Sequence, residues 1–367
     1  MNTTTENIRE GVDVLRQFLI PRAFTARLIE FINKEGIFSV IGEMGRFTKE
    51  DFCEALSKRL RYKTEDRARK RMVNVLLDFL EECSQVFHRF SHGTPEIYTY
   101  NRGAKLPSPL SRTEIETIEK IFSDQYLFFE KCINYAGDFL RGGNYLHSFS
   151  QGMESVWDRF LGNYEFSFAR DILLRAMAID KKPGYKIMDL CYGTGQGLKA
   201  IIEYFPDAYI TAIDFTDTMR SFAQERIGSN AAKIQWVDAT KWVGFGDNLP
   251  FEDITFDRIF FSCGDPYIPQ HMREGVYKEI FRILKPGGIL GVVAWGYPDK
   301  GKKRIQNSWI RRSIYIHDFA ESVCKGWHGF NDIESRIKMA RDIGFAESSL
   351  FNNFYMLDSA IWMFKRT

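Results

Sequence analysis

A closely spaced set of glycines and a carboxylate is the part of this sequence best suited to chemistry. An apolar stretch that contains Ile187 and Met188 predicts a buried strand, and it runs directly into Asp189. Three glycines then occupy alternate positions: Gly193, Gly195 and Gly197. Apolar residues at helical spacing follow, so the segment predicts a strand, a glycine turn and a helix. In an open α/β sheet, this unit brings glycine backbone next to a bound cofactor at the carboxyl end of the first strand.

A second carboxylate stands where a bound ribose would need one. The next predicted strand, residues 209–213, ends in Asp214, about twenty residues beyond the glycines, from where a carboxylate can accept both ribose hydroxyls. Further strands are predicted over residues 234–237, 256–261 and 289–293. Strands that alternate with helical segments in this way predict an α/β fold with a mainly parallel sheet.

The order of these segments resembles the S-adenosylmethionine-dependent methyltransferases of the Rossmann-like class. The resemblance covers about residues 185–295 and includes the Leu-Pro-Phe segment 249–251 and the Lys-Pro-Gly-Gly segment 285–288. It implies S-adenosylmethionine as cofactor and a seven-stranded sheet whose last strands, near 347–356 and 359–365, form an antiparallel edge pair. A dinucleotide-dependent dehydrogenase is the rival interpretation. It fits less well, because the segments 249–251 and 285–288 have no dehydrogenase counterpart and the close helix-packing glycine of the dinucleotide fingerprint is missing.

The resemblance also implies a role for each residue on the cofactor side. Asp189 is expected to orient the glycine loop and the amino group of the cofactor, and Asp214 to hold the ribose hydroxyls. The other cofactor-binding candidates are Tyr164, Cys191, Gly193, Gly195, Phe215, Met219, Asp238, Ala239 and Cys263. Among them, Phe215 and Met219 would contact the adenine ring, and Asp238 and Ala239 its polar edge. Relatives usually have glycine at position 191, so Cys191 is expected to keep a negative φ. For Asp189, Asp214 and Asp238, the alternative to cofactor binding is an ordinary turn-capping role.

The acceptor side is less well defined by the sequence. O-methyltransferases of similar organisation carry a histidine base just after the fourth strand; here that position is near Asp265, and the nearest histidine is His271. Either residue is a candidate general base, and the alternative for each is a residue that only hydrogen-bonds within the loop. Candidate substrate contacts are Tyr267, Trp295, Tyr297, Trp327 and His328. Oxygen, carbon, nitrogen and sulfur all remain open as the accepting atom. No metal is predicted, since nothing in the spacing of the histidines at 271, 317 and 328 forces a site.

The N-terminal part predicts three helices followed by a hairpin, which is a winged-helix pattern. The predicted division is a winged-helix domain over residues 1–105, a helical linker over 106–180 and a methyltransferase domain over 181–367. Residues 296–330 are expected to form a cap over the substrate. The resemblance to small-molecule O-methyltransferases and 2-oxo-acid C-methyltransferases implies that the first domain dimerises. The alternative is DNA binding, because basic residues open the third helix: Arg67, Arg69, Lys70 and Arg71.

Composition narrows the compartment and the partners. The 367-residue chain has a net charge of +2, which gives no general case for nucleic acid or an anionic membrane. No apolar run is long enough to span a bilayer, and the first residues lack a signal-peptide pattern. The six scattered cysteines contain no Cys-x-x-Cys pair, so a reducing cytoplasm is expected. The sequence therefore predicts a cytoplasmic homodimeric enzyme of specialised metabolism that methylates a small molecule. The alternative is a nucleic-acid-binding regulator or an RNA/DNA methyltransferase.

Overall fold

The described residues form two compact units. The computed structural model describes residues 20–89, 96–106, 110–297, 305–347 and 361–367. The first unit contains the described residues up to His147 together with Gln306–Lys325. The second contains Ser148–Ile305 and the described residues from Gly326 onward, so the chain returns once to the first unit. The predicted boundaries at residues 105 and 180 do not coincide with this division.

The first unit is mainly helical. Its helices are α1 (Ile20–Lys34), α2 (Ile37–Met44), α3 (Lys49–Leu60), α4 (Arg67–Glu82), α5 (Arg112–Leu140) and α11 (Ser308–Glu321). Strands β1 (Arg46–Phe47), β2 (Val86–Arg89) and β3 (Ile97–Tyr100) form an antiparallel sheet in the order β1-β3-β2. The Thr48 side chain caps α3 and exchanges hydrogen bonds with Asp51. The helices and hairpin that suggested a winged helix are present, and the winged-helix assignment stays a prediction.

Helix α11 comes from the C-terminal half of the sequence but packs within the first unit. Three contacts hold it there: Arg311 Nη2 to Glu82 Oε1 at 2.7 Å, Arg71 Nη1 to Asp318 Oδ1 at 2.6 Å, and the rings of Phe31 and Phe319 at 5.4 Å. The helical part of residues 296–330 therefore packs in the first unit, and the role of residues 296–330 as a substrate cap stays a prediction. Sequence reasoning missed this, since the partners of α11 are more than two hundred residues away.

The second unit is an α/β sandwich around a seven-stranded sheet. Its helices are α6 (Glu154–Leu161), α7 (Tyr164–Met177), α8 (Gln196–Tyr204), α9 (Arg220–Ile227), α10 (Arg273–Ile283) and α12 (Ile333–Ile343). The sheet consists of β4 (Lys186–Leu190), β5 (Tyr209–Ile213), β6 (Ile234–Trp236), β7 (Phe256–Ser262), β8 (Leu284–Val293), β11 (Phe345–Glu347) and β12 (Ile361–Arg366). A short parallel pair joins β9 (Gly296–Tyr297) to β10 (Asn331–Asp332).

The strand order of the large sheet is β11-β12-β8-β7-β4-β5-β6. Strands β4 to β8 are parallel, and β11 and β12 form the antiparallel pair expected at one edge. The predicted fold class is thus confirmed. Because the parallel strands all end at the same edge, the residues that follow β4, β5, β6, β7 and β8 share that edge.

Local differences from the predicted elements have simple causes. The sequence also predicts an amphipathic helix over residues 8–20 that ends before Pro21, and residues 8–19 lie outside the described part of the chain. Pro21 lies in the first turn of α1, a position where its missing N–H costs nothing. The sequence predicts helical segments over about residues 150–179, and the structure has α6 and α7 there, separated at Gly162 and Asn163.

Candidate cofactor site

The glycine loop leaves β4 at the carboxyl edge of the sheet and enters α8. Asp189 is paired with Ala212 of β5 and Phe260 of β7, so it lies on an interior strand of the sheet. A Cβ on Gly197 would come within 2.7 Å of Asp189 Oδ2 and 2.9 Å of the Phe260 ring. Only glycine therefore allows the first turn of α8 to approach the Asp189 carboxylate this closely.

Asp189 is buried, and one of its carboxylate oxygens is unpaired. Its exposed fraction is 1 %, and Oδ2 has no hydrogen-bond partner among the residues described. Burial, together with the nearby Asp214 carboxyl, raises the pKa of Asp189 well above its ordinary value, whereas the Arg170 guanidinium lowers it. Buried polar atoms are normally paired with protein, water or a ligand. The Asp189 Oδ2 atom therefore retains the capacity to accept a hydrogen bond from water or a ligand.

Asp214 ties the end of β5 to the glycine loop. It is 5 % exposed, and its Oδ2 accepts a hydrogen bond from the backbone N–H of Gly193 at 3.0 Å. Burial raises the pKa of Asp214 to about 7; the backbone N–H groups of Gly193, Thr216 and Phe215 oppose the rise, and Asp217 adds to it. The Asp214 carboxyl therefore gains or loses its proton near neutral pH.

Two further polar atoms of the glycine loop are buried. Tyr192 Oη and Thr194 Oγ1 lack a hydrogen-bond partner within the described part of the chain, although their residues are only 4 % and 2 % exposed. Together with Asp189 Oδ2, they place three unsatisfied polar atoms within residues 189–194. A ligand with several polar groups could satisfy buried atoms that lie so close together in the sequence.

Two cysteines take up the left-handed backbone conformation at strand ends. Cys191 follows β4 with φ +63°, and Cys263 follows β7 with φ +62°. The expectation that Cys191 keeps a negative φ is wrong. The sheet edge fixes both residues, because their N–H groups donate to the carbonyls of Ile213 and Val293, each at 2.8 Å. This conformation costs a non-glycine residue about 1–2 kcal/mol, and such strain is concentrated at functional sites.

The residues predicted to contact adenine follow β5 and β6 at the same sheet edge. Asp238 is exposed, and its Oδ1 accepts hydrogen bonds from the N–H and hydroxyl of Thr240 at 2.8 and 2.6 Å. The Thr240 hydroxyl and N–H lower the pKa of Asp238. The N–H of Ala239 donates to Asp217 Oδ2 at 3.4 Å. Asp238 is therefore ionised at neutral pH and accessible from solvent.

Three other cofactor-side candidates lie in different surroundings. Phe215 is half-buried just after β5, and Met219 is buried at the start of α9. Tyr164 begins α7, but its side chain lies outside what the structure describes.

Asp265 does not have the environment of a general base. It is fully buried, and its Oδ1 accepts from the Tyr277 hydroxyl at 2.8 Å while its Oδ2 accepts from Arg336 Nη2 at 2.7 Å. Burial alone would raise the pKa of Asp265, but the guanidiniums of Arg336 and Arg273 and the Tyr277 hydroxyl hold it below its ordinary value. A buried, ionised and hydrogen-bonded carboxylate is a poor proton acceptor. The geometry instead makes Asp265 an anchor between β7, α10 and α12.

The candidate histidines have contrasting environments. His271 is exposed, and so is His328, whose backbone N–H donates to the Pro266 carbonyl at 2.9 Å. His317 is buried on α11 in the first unit and contacts Glu321. Across the described ranges, no three His, Cys, Asp or Glu side chains come together as metal ligands.

Aromatic rings form a continuous cluster in the second unit. Its ring-centroid distances are 4.8 Å for Phe149–Trp157, 5.5 Å for Phe149–Phe215, 4.9 Å for Phe149–Tyr267, 5.3 Å for Tyr267–Trp327, 5.3 Å for Trp327–Phe330 and 6.1 Å for Tyr297–Phe330. The cluster brings together three of the predicted substrate contacts, Tyr267, Tyr297 and Trp327. Trp295 is buried, and its carbonyl accepts from Arg336 Nη2 at 3.3 Å. Phe149 reaches Phe215 at the end of β5, so the cluster extends to the cofactor side.

Comparison with known families identifies the central part of the second unit. Residues 187–288 match the family model described as a methyltransferase domain. The chain contains a methyltransferase domain. This methyltransferase domain includes the glycine loop, both buried acids of the cofactor side and the Asp265 anchor. Members of this family take the methyl group from S-adenosylmethionine.

Relatives of known function are also methyltransferases. The chain is 29 % identical over 226 residues to a sterol 24-C-methyltransferase of Gibberella zeae. This alignment covers 60 % of this chain and 56 % of that protein. It is 29 % identical over 183 residues to a demethylmenaquinone methyltransferase of Listeria welshimeri. That alignment covers 47 % of this chain and 74 % of the relative. The chain thus spans little more than half the length of the sterol enzyme.

The fold is shared with solved methyltransferases. The crystal structure of the CurJ carbon methyltransferase aligns with a TM-score of 0.61 and 13 % identity, over 100 % of this chain and 94 % of that one. At this identity the likeness concerns the fold. In the described part of this chain, no helix is both long and apolar enough to cross a membrane.

Several residues around the methyltransferase domain were missed by sequence reasoning. Tyr192 and Thr194 stand inside the glycine motif, but no local pattern marks the burial of their side chains. Arg170 is buried on α7 and acts electrostatically on Asp189 and Cys263. Asp158 and Phe149 precede the matched domain, and no local pattern marks them because their partners are distant in the sequence.

Proposed function

We propose that this chain transfers a methyl group from S-adenosylmethionine to a small metabolite with apolar or planar character. The observation that carries the proposal is the cluster of unsatisfied buried atoms in the glycine loop, Asp189 Oδ2, Tyr192 Oη and Thr194 Oγ1. It lies within the segment that matches the methyltransferase family. The matched relatives act on a sterol and on demethylmenaquinone, both apolar molecules, which supports the same character for this substrate.

The residues present suit the cofactor. Asp189 and Asp214 would meet its amino group and ribose, and the loop with Cys191, Gly193 and Gly195 would pass beneath it. Phe215, Met219, Asp238 and Ala239 would surround the adenine, with Tyr164 and Cys263 toward the methionine end. Bound there, the sulfonium supplies an activated methyl group with a good leaving group. The chain itself therefore needs mainly to position the acceptor and exclude water.

The acceptor would lie against the aromatic cluster. Phe149, Phe215 and Tyr267 are only partly buried, so part of their ring surface remains accessible. Aromatic rings give apolar and planar molecules a large contact area with defined geometry. Trp295, Tyr297 and Trp327 would extend this surface, and His328 would offer a polar group at its rim. His271 remains a proposed base for an acceptor that must lose a proton, since Asp265 is committed to Arg336.

A nucleic-acid substrate is less well supported. Two of the basic residues that suggested it are engaged inside the first unit. Arg69 donates to the carbonyls of Phe139 and Gly143 at 2.7 and 2.8 Å, and Arg71 pairs with Asp318. Those guanidiniums would have to leave these partners to contact phosphates.

We further propose a cytoplasmic homodimer. All six cysteines lie in described residues and none is in a disulfide, which suits a reducing compartment. Dimerisation through the first unit follows from the resemblance to O-methyltransferases and is tested by light scattering of the purified protein, where a monomeric mass would contradict it.

Calorimetric titration tests the proposed function. We expect micromolar binding of S-adenosylmethionine and no binding of NAD. Methyl uptake from labelled cofactor should then occur with phenolic, quinone-like or sterol-like acceptors rather than with DNA or RNA. Absence of S-adenosylmethionine binding, or binding of NAD instead, would overturn the proposal.

A further inference from the structure

Asp158 contacts the glycine loop from a helix outside the matched methyltransferase domain. Its Oδ1 accepts a hydrogen bond from Gln196 Nε2 at 2.8 Å and another from Arg226 Nη2. Gln196 is the first residue of α8, and Arg226 lies in the last turn of α9. One carboxylate oxygen on α6 therefore joins three helices around the loop.

Arg226 extends this connection into the loop itself. Its Nε donates to the backbone carbonyl of Thr194 at 2.9 Å. Thr194 also carries one of the three unsatisfied buried atoms described above. The Asp158 carboxylate thus sets the direction of the Arg226 guanidinium, and the guanidinium sets the position of the Thr194 peptide.

The surroundings of Asp158 are adapted to this contact. A Cβ on Gly162 would lie 2.8 Å from Gln196 Nε2 and 2.6 Å from the Asp158 carbonyl, so glycine at the end of α6 leaves room for the Gln196 side chain. The side chains of Asp158 and Arg226 are only 19 % and 20 % exposed. A charge pair with this little solvent contact is weakened by salt less than a surface pair.

We propose that Asp158 is a positioning residue for cofactor binding. It holds the glycine loop, through Gln196 and Arg226, in the conformation in which Tyr192 and Thr194 meet the ligand. This inference rests on the proposed function. An ion pair with a purely structural role would differ in one respect: its loss would lower the stability of the protein and leave the cofactor affinity of the folded protein unchanged.

The test compares Asp158→Ala with the wild type at temperatures where both are folded. We expect S-adenosylmethionine binding to weaken about tenfold, as for the loss of a hydrogen-bonded charge. Hydrogen exchange should become faster at the amides of residues 193–197. The KM for the cofactor should rise while that for the acceptor stays unchanged.

Two further variants sharpen the test. Arg226→Ala should weaken binding by a similar factor, and the double variant should be no weaker than either single one, because both act through one connection. The matched control is Arg159→Ala, the next residue on α6, which is exposed and donates to the Ser155 carbonyl within its own helix. It should bind the cofactor like the wild type.

The outcomes separate this inference from the proposed function. If the wild type fails to bind S-adenosylmethionine, the proposed function is wrong. If the wild type binds and Asp158→Ala binds as tightly as Arg159→Ala, with unchanged exchange in the loop, the positioning role is wrong. Should Asp158→Ala not fold, Asp158→Asn and Arg226→Ala take its place, and wild-type affinity in both would overturn the inference.

Discussion

Asp189 and Asp265 occupy similar positions in the sequence, but their carboxylates have opposite environments in the structure. Each carboxylate lies at or just after the carboxyl end of a parallel strand of the same sheet, and each is buried. Asp189 has an unsatisfied oxygen and a raised pKa, whereas Asp265 has two partners and a lowered pKa. Position at a strand end is therefore not enough to identify a functional acid. What distinguishes the two is whether the chain already satisfies the carboxylate.

The largest expected effect is the loss of stability when Asp265 is replaced. Asp265→Ala leaves the Arg336 guanidinium buried without its carboxylate, so the free energy of unfolding should fall by about 3–5 kcal/mol. Urea unfolding measures this. The control is Asp342→Ala, which removes an exposed partner of Lys338 on the same helix and should change stability by less than about 1 kcal/mol. Equal effects of the two substitutions would contradict the anchoring role.

The cofactor side should respond in affinity rather than in stability. Asp214→Ala removes the acceptor of the Gly193 N–H and the proposed ribose contact, so S-adenosylmethionine affinity should drop about a hundredfold. Calorimetry with the folded variant checks this. Undiminished affinity would count against the assignment of Asp214 and the loop as the cofactor site.

Cofactor binding should depend on pH through the same carboxyl. Because the pKa of Asp214 is about 7, the group is protonated below neutral pH, where it loses the charge that strengthens hydrogen bonds from the ribose hydroxyls and carries an O–H donor of its own. Affinity should fall up to about tenfold per pH unit below 7 and level off above it. The same raised pKa means that Asp214 contributes stability at acidic pH that is lost as the pH rises through 7. An affinity profile for Asp214→Asn that keeps the wild-type slope would show that another group is responsible.

The smallest effect concerns backbone strain at Cys191. Its φ of +63° is natural for glycine, so Cys191→Gly should raise the free energy of unfolding by up to about 1 kcal/mol. A thermal melt measures the change. The reverse sign would mean that packing of the Cys191 side chain outweighs the strain it imposes.

The features of these acids that could be predicted are those that depend on local sequence patterns. The strand, glycine turn and helix around Asp189 are contiguous, and Asp214 follows at a spacing set by one helix and one strand, so both were predicted. The partners of Asp265 are 12 and 71 residues away, which hydrophobic periodicity does not report. For the same reason the sequence did not indicate the salt bridges of α11 with Glu82 and Arg71.

Backbone conformation was a second feature that the sequence could not predict. The sequence indicated that Cys191 replaces a usual glycine, but it did not show that hydrogen bonding to Ile213 would hold the residue in the left-handed region. Likewise, the burial of Tyr192 Oη and Thr194 Oγ1 depends on how α9 and β6 cover the loop. Tertiary packing decides such details.

The most direct test of the contrast is a crystal structure with S-adenosylmethionine bound at pH 8. We predict that Asp189 Oδ2, Tyr192 Oη and Thr194 Oγ1 each gain a hydrogen-bond partner from the cofactor or an ordered water. Asp265 should keep Tyr277 and Arg336 unchanged. A cofactor bound elsewhere, or a complex in which the three atoms stay unsatisfied while Asp265 leaves Arg336, would contradict the assignment of the two acids.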